Sequence, residues 1–192
     1  TADEAARAAA QIGYPGALKI NSPDIAHKTE AGGVILNLTS RAAIVAAFQT
    51  LTERARNNLP TARIEGVLVQ EMISGGLETL IGVSNHPGLG PVVVFGLGGV
   101  FVEALGGWAW RAAPLDLAEA HAMIAEARAG QILAGWRGAA PLDSAALAEA
   151  IVLVSRLAWQ LRDRIEAIDI NPMIVLPVGQ GVKVVDALIV RR

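Results

Sequence analysis

The sequence predicts an α+β fold, and three observations carry that expectation. Short β-rich runs follow one another through glycine turns, as in Ile64 to Met72, Gly75-Gly76 and Leu77 to Ser84, which is the pattern of an antiparallel pair. Helical periodicity is interspersed with these runs, most clearly after Pro141-Leu142-Asp143, where Leu147, Ile151, Val154, Leu157, Ala158 and Leu161 make a wide apolar face that should pack on a sheet. Antiparallel strands mixed with helices in this way argue against a doubly wound parallel sheet. The 192 residues suffice for one large or two small domains, and no internal repeat is visible.

Taken in order, Asp3 to Gln11 is alanine-rich and helical, with Gly13 as its stop and Tyr14-Pro15 turning into a strand, Gly16 to Ile20. A polar loop, Ser22 to Gly33, separates this strand from a second, Val34 to Leu38. Thr39 or Ser40 caps a helix from Arg41 to about Asn57, whose Ile44, Phe48 and Leu51 recur at helical spacing. After the first antiparallel pair, Pro91 to Phe95, Val100 to Leu105 and Trp108 to Ala113 continue as strands, with a break at Gly96-Leu97-Gly98-Gly99. Asp116 caps a helix to about Arg128 and Asp143 another to about Arg164. Ile165 to Ile170, Met173 to Leu176 and Val182 to Val185 close the chain as strands, the last two turning at Gly179-Gln180-Gly181. Because the chain opens on Thr1-Ala2-Asp3-Glu4 inside a helical pattern, it is expected to be a piece of something longer.

Composition narrows the function classes. A hydrophobic content of 53% with 18% charged residues belongs to a folded chain. The net charge of −2 comes with no basic run of the kind that tracks a nucleic-acid backbone or an acidic membrane, so neither is expected as a partner. With no cysteine, a disulfide framework, a thiolate metal site and a cysteine nucleophile are excluded, which fits a cytoplasmic location. His27, His86 and His121 are too scattered for a zinc cluster. The longest uncharged run, Pro87 to Val102, carries five glycines and falls short of a membrane span.

Several residues could carry chemistry, and each has a plainer reading beside it. Lys19 sits inside an apolar strand, where burial is costly unless an anion such as phosphate pairs with it. His27 follows in the loop beside Lys28, on a segment ending in Gly32-Gly33; standing alone, a loop histidine is more often a surface residue than a nucleophile. Asp169 and Asn171 share one face of an extended segment, and Asp186 lies on a strand that could pair with it, so three hard oxygens can converge as for Mg²⁺ carried on phosphates. Asn171-Pro172 is equally readable as a turn and Asp169 as an edge charge. Glu71 ends the apolar strand Val67 to Gln70 just before Gly75-Gly76, where a hinge would offer adenine its backbone, or where an ordinary strand-terminal carboxylate would sit. Gly96 to Gly99 with Glu103 could cradle phosphate, or form a bulge or tight crossing. Arg111 could clamp a phosphate or pair with Glu103. Trp108 and Trp110 share a face and read as packing or interface rather than stacking platforms.

Together these segments resemble the ATP-grasp domain of the NDP-forming acyl-CoA synthetases, the acetate-CoA ligase (ADP-forming) family related to succinyl-CoA synthetase. The resemblance covers essentially the whole chain. It is carried by Gly13-Tyr14-Pro15 with Ala17-Leu18-Lys19-Ile20, Ser22-Pro23-Asp24-Ile25 with His27-Lys28-Thr29-Glu30, Val69-Gln70-Glu71-Met72 with Gly75-Gly76 and Glu78, Gly90-Pro91 with Phe95 to Gly99 and Glu103, and Asp169-Ile170-Asn171-Pro172 with Asp186-Ala187. It implies an ATP-grasp fold whose first part is missing, with a partial small subdomain over 1–65 that carries the phosphohistidine loop and a nucleotide- and Mg-binding subdomain over 66–192. His27 would be the phosphohistidine; Lys19 would hold phosphate, and Glu71 with Met72 the adenine. Gln70, Glu78, Gly98, Gly99, Glu103 and Arg111 would complete the ATP/ADP contacts, and Asn171, Asp186 and Asp169 would hold Mg²⁺. Acyl transfer to CoA would belong to CoA-binding and ligase domains or a partner subunit, in an oligomer, and the carboxylic acid activated is not readable here.

Two departures stand out. Gly106-Gly107 occupies a position where the family often has an acidic residue before the arginine of Arg111-Ala112-Ala113-Pro114, and Asn85-His86-Pro87 lacks a second acidic position. Two other readings remain open from sequence: a non-catalytic nucleotide-sensing module fused to a protein acetyltransferase, and a structural domain that supports an oligomer.

Overall fold

The computed structural model describes residues 1–25, 28–29, 31–98, 107–135 and 138–192 and divides into two compact units, Thr1–Met72 and Ile73–Arg192. The boundary lies later than the expected 65/66. Residues 66–71 form a strand that pairs with the first strand all the way from Gly16↔Glu71 to Asn21↔Gly66, which ties them to the first unit.

The first unit runs α1 (Ala2–Ile12), β1 (Gly16–Asn21), β2 (Val34–Leu38), α2 (Arg41–Asn58) and β3 (Gly66–Glu71), with the antiparallel order β2-β1-β3. Thr1 and Glu4 form a capping box at the start of α1, and Ser40 caps α2 by accepting from the Ala43 N–H. The buried face of α1 is alanine, Ala5, Ala6 and Ala9, so the helix can lie close over Leu18, Ile44 and Leu51.

The second unit contains β4 (Leu77–His86), β5 (Gly90–Leu97), β6 (Trp108–Ala112), α3 (Leu117–Glu126), α4 (Gly130–Leu133), α5 (Ser144–Gln160), β7 (Ile165–Val175), β8 (Val182–Val184) and β9 (Ala187–Arg191). Its antiparallel sheet has the order β6-β5-β4-β7, and β8 and β9 follow one another along the far edge of β7. The helices pack on one face, against Ile81, Val93, Phe95, Ala109 and Ile168; each of the larger side chains, Ile81, Val93, Phe95 and Ile168, stabilises the fold by about 1.5–3 kcal/mol when fully buried. Alternation sends Glu78, Gly82, Trp108, Trp110, Asp169 and Asn171 to the other face.

Some elements differ from the sequence reading. The strand begun at Pro91 continues through Gly96 to Leu97, because Gly96 keeps its ladder partners Leu80 and Trp108. The strand expected over 100–105 lies outside the described residues. Ile165 to Val175 is one strand rather than two: between Ile81↔Ile170 and Thr79↔Met173 it gains a residue, a bulge at Asn171-Pro172, where proline has no N–H to give the ladder. The short α4 and the strand β9 were not expected. Gly76 fits its turn only as glycine: its φ is +82° and a Cβ there would come within 2.5 Å of the Val175 carbonyl oxygen.

Asp143 ties α5 to the β7–β8 turn. Its carboxylate accepts the Ala146 N–H at 3.1 Å, that of Gly179 at 2.9 Å and that of Gly181 at 3.1 Å. These hydrogen bonds, the one from Ala146 foremost, hold the carboxyl below its ordinary value. A depressed folded-state value gives stability that is present above the unfolded carboxylate value near ~3.9 and lost as pH falls through the folded one. In urea titrations, Asp143→Asn should therefore be less stable than the parent at neutral pH, with the difference closing as pH drops below about 4. A difference that stays constant with pH would show that the carboxylate charge is not what holds the turn.

Candidate functional site

In the first unit the polar loop is fastened at both ends. Ser22 Oγ accepts the Asp24 N–H at 3.1 Å, Asp24 Oδ2 accepts the Arg63 N–H at 2.7 Å, and Ile25 is buried against Ile20 and Ala55. At the far end the Gly33 N–H donates to the Lys28 carbonyl at 2.8 Å, and the Ile20 N–H donates to Gly33 at 2.7 Å. A Cβ on Gly33 would lie 2.6 Å from Ile20 Cγ2, so glycine is needed here for the loop to pass close to the strand. His27 lies outside the described residues, as do Gly99 and Glu103.

Lys19 stands in β1 with only 5% of its surface exposed. Its neighbours on the ladder, Val34 and Leu68, are both apolar, while Leu18 beside it faces the core. Gln70 is opposite Ala17, and Glu71 ends β3 on the surface. The Met72 N–H donates to the Pro15 carbonyl at 3.2 Å, so of its two backbone groups it is the carbonyl that a ligand could meet.

In the second unit the acidic end is assembled by register. The Asn171 N–H donates to the Asp186 carbonyl at 3.1 Å and the Val185 N–H to that of Pro172 at 3.0 Å, so the backbone of the bulge lies against the short stretch between β8 and β9 and sets Asn171 opposite Asp186. Asp186 Oδ1 also accepts the Ala187 N–H at 3.0 Å, which fixes the carboxylate's orientation. Asp169, one step back on the same face, is opposite Gly82 on β4 and Leu188 on β9. Among the described residues no group of three or more His, Asp or Glu side chains could hold a metal by itself. An amide and a carboxylate side by side are too few to retain a bare cation, but they suit one that brings phosphate and water ligands with it.

Two expected phosphate contacts find other partners. The Gly98 N–H donates to the Glu78 carbonyl at 2.7 Å, and a Cβ on Gly98 would lie 3.1 Å from that backbone. This is the tight crossing that the glycine cluster also allowed, and it engages the N–H a phosphate would need. Arg111 lies on the helix side of the sheet, where its fork grips both oxygens of Glu126, Nη1 at 3.0 Å. That pairing holds the Glu126 carboxyl below its ordinary range. Glu126 was not singled out in the sequence, since a helix carboxylate 15 residues away carries no local signal. Trp108 and Trp110 share a face as expected, the one away from Ala109, and the Trp108 indole lies on Gly96, where a Cβ would come within 2.6 Å of the ring.

Residues 1–190 match the family model of the ATP-grasp domain. The chain belongs to this ATP-grasp family. It is 42% identical over 192 residues to the acetate–CoA ligase (ADP-forming) II subunit beta of Pyrococcus furiosus, covering all of this chain and 81% of that one. With the 4-hydroxybutyrate–CoA ligase (ADP-forming) of Nitrosopumilus maritimus it shares 41% identity over 186 residues, 97% of this chain and 26% of that protein. The chain thus spans about a quarter of that longer relative. Among solved structures it is similar to a dinucleotide-forming acetyl-coenzyme A synthetase of Ca. Korarchaeum cryptofilum, in complex with coenzyme A and Ca-AMPCP, with a TM-score of 0.93, 41% identity and coverage of 100% of this chain and 82% of that one. A second structure of that enzyme, with coenzyme A and Mg-AMPPCP and its phosphohistidine segment pointing towards the nucleotide-binding site, matches with a TM-score of 0.83, 38% identity and coverage of 100% and 83%. The α+β ATP-grasp architecture expected from the sequence is thereby established.

Proposed function

We propose that this chain is the ATP-binding, phosphoryl-transferring part of an ADP-forming acyl-CoA synthetase. Supporting this reading above all is the backbone pairing that sets Asn171 opposite Asp186, with Asn171 on the face of the second unit's sheet that its own described helices do not cover. The matching Korarchaeum enzyme, which binds a magnesium nucleotide and carries a phosphohistidine segment, adds to it. In this reading an imidazole nitrogen of His27 attacks the γ-phosphorus of ATP, an N–P bond forms, and the bond to the β,γ-bridging oxygen breaks with release of ADP. The phosphoramidate then gives its phosphoryl group to a carboxylate, and CoA opens the acyl phosphate with release of phosphate. Lys19 supplies positive charge to the transferring phosphoryl group, and Glu71 and Met72 meet the adenine. Mg²⁺ held by Asn171 and Asp186 would supply further positive charge when bound. Acyl transfer falls to CoA-binding and ligase portions outside this chain, and the absence of cysteine suits work in a reducing cytoplasm.

Asp186→Asn in the complete protein tests the metal end. It removes a charged oxygen while keeping the size of the side chain, so the Mg²⁺ concentration needed for half-maximal nucleotide binding should rise about tenfold or more. An unchanged Mg²⁺ dependence in that titration would remove Asp186 from the site.

A further inference from the structure

One end of the second unit concentrates positive charge in a way the phosphoryl chemistry leaves unexplained. After α5 the chain turns through Arg162 and Arg164, and β9 returns beside this turn: Arg191 is opposite Ile165 on the ladder, and the Arg192 N–H donates to the Arg164 carbonyl at 3.1 Å. No carboxylate among the described residues forms an ion pair with any of these four arginines. The surrounding surface holds two hollows of about 420 and 530 Å³ that share Asp163 and Arg192, and Asp163 is the one carboxylate lining them. Apolar side chains sit between the charges: Leu89 is 65% exposed, Trp159 39% and Ile189 50%. The Arg162 guanidinium lies 4.6 Å above the Trp159 ring and donates to the Trp159 carbonyl at 2.8 Å, which holds both in place.

Arginine and tryptophan on an apolar floor with few acids is the composition of an interface core that binds a segment of opposite charge. The chain as a whole carries a net charge of −2, so this surface is a local reversal rather than a general property. We propose that this end of the second unit is the docking surface for the CoA-binding and ligase portion of the enzyme, and that it receives there an acidic segment bearing apolar side chains. The inference rests on the functional reading above, which requires such a portion, and on the 4-hydroxybutyrate–CoA ligase, of which this chain matches only 26%. Four guanidinium groups against one carboxylate favour an acidic segment over a second copy of the same cationic surface, which would repel itself.

The test uses the complete enzyme. A photo-reactive phenylalanine analogue at the exposed Arg164 position should cross-link to the CoA-binding or ligase portion, within a stretch rich in Asp or Glu. Cross-linking only to a second copy of this domain, or to no other part of the enzyme, overturns the proposal. Alongside it, the double charge reversal Arg162→Glu, Arg164→Glu should lower acyl-CoA synthesis about tenfold while phosphate from labelled ATP still reaches His27 at the parent rate. If synthesis is unchanged in the reversal variant, the docking surface is elsewhere although the phosphoryl reading stands. If label never reaches His27 even in the parent enzyme, it is the phosphoryl reading that fails, and the cross-link still decides the surface by itself.

Discussion

Replacing His27 by alanine should abolish acyl-CoA synthesis in the complete enzyme while leaving nucleotide affinity nearly unchanged. The histidine is the proposed nucleophile, so its loss removes the covalent route altogether, whereas the contacts proposed for adenine and metal reside at Glu71, Met72, Asn171 and Asp186. In the parent enzyme, Mg²⁺ and γ-labelled ATP should place label on His27 in an acid-labile, base-stable linkage, as expected of a phosphoramidate. Lys28 is the internal control: as a neighbouring point charge its replacement should alter rate or affinity only modestly. Near-normal turnover by His27→Ala would make this histidine an ordinary loop residue and send the phosphoryl group directly to another acceptor.

How far the sequence reveals this molecule depends on whether the signal is local. Helix starts were legible because a cap is a short-range device: Ser40, Asp116 and Asp143 each accept the N–H three residues on. The facing of Asn171 and Asp186 was also legible, since strand alternation and one Gly-containing turn suffice to bring two strands together. The bulge at Asn171-Pro172 was not, because it is defined by what β4 does opposite; read alone, the proline simply splits the strand in two. For the same reason the glycine cluster could not be divided by inspection. A side chain at Gly96 would collide with the Trp108 indole and one at Gly98 would press on the Glu78 backbone, two packing demands made by residues distant in the chain. Arg111 shows the same limit, since the sequence offers it a phosphate or Glu103 and the structure gives it Glu126 of α3. The arginine cluster carries no local signal because it is built from two pairs, Arg162 with Arg164 and Arg191 with Arg192, that only the β7–β9 ladder brings together.

Lys19→Met should lower the rate of His27 labelling by about 10²–10³, the range seen when one preorganised electrostatic contact to a developing charge is removed. The substitution keeps an unbranched stem of similar length in β1, between Val34 and Leu68, and deletes the ammonium group. A lysine held at 5% exposure acts through a medium less polarisable than water, so its effect on a nearby phosphoryl group exceeds that of a surface lysine. The loss should fall mainly on the transfer rate, because charge builds on the phosphoryl oxygens as the bond to ADP breaks, and less on nucleotide binding. Lys19→Arg distinguishes charge from fit: it retains the cation but forces a planar, wider head into a buried position, and should recover the rate only in part. Thermal unfolding of the three proteins separates a structural effect from a catalytic one. If Lys19→Met labels His27 at close to the parent rate, Lys19 serves the strand alone and the positive charge needed for phosphoryl transfer must come from another residue.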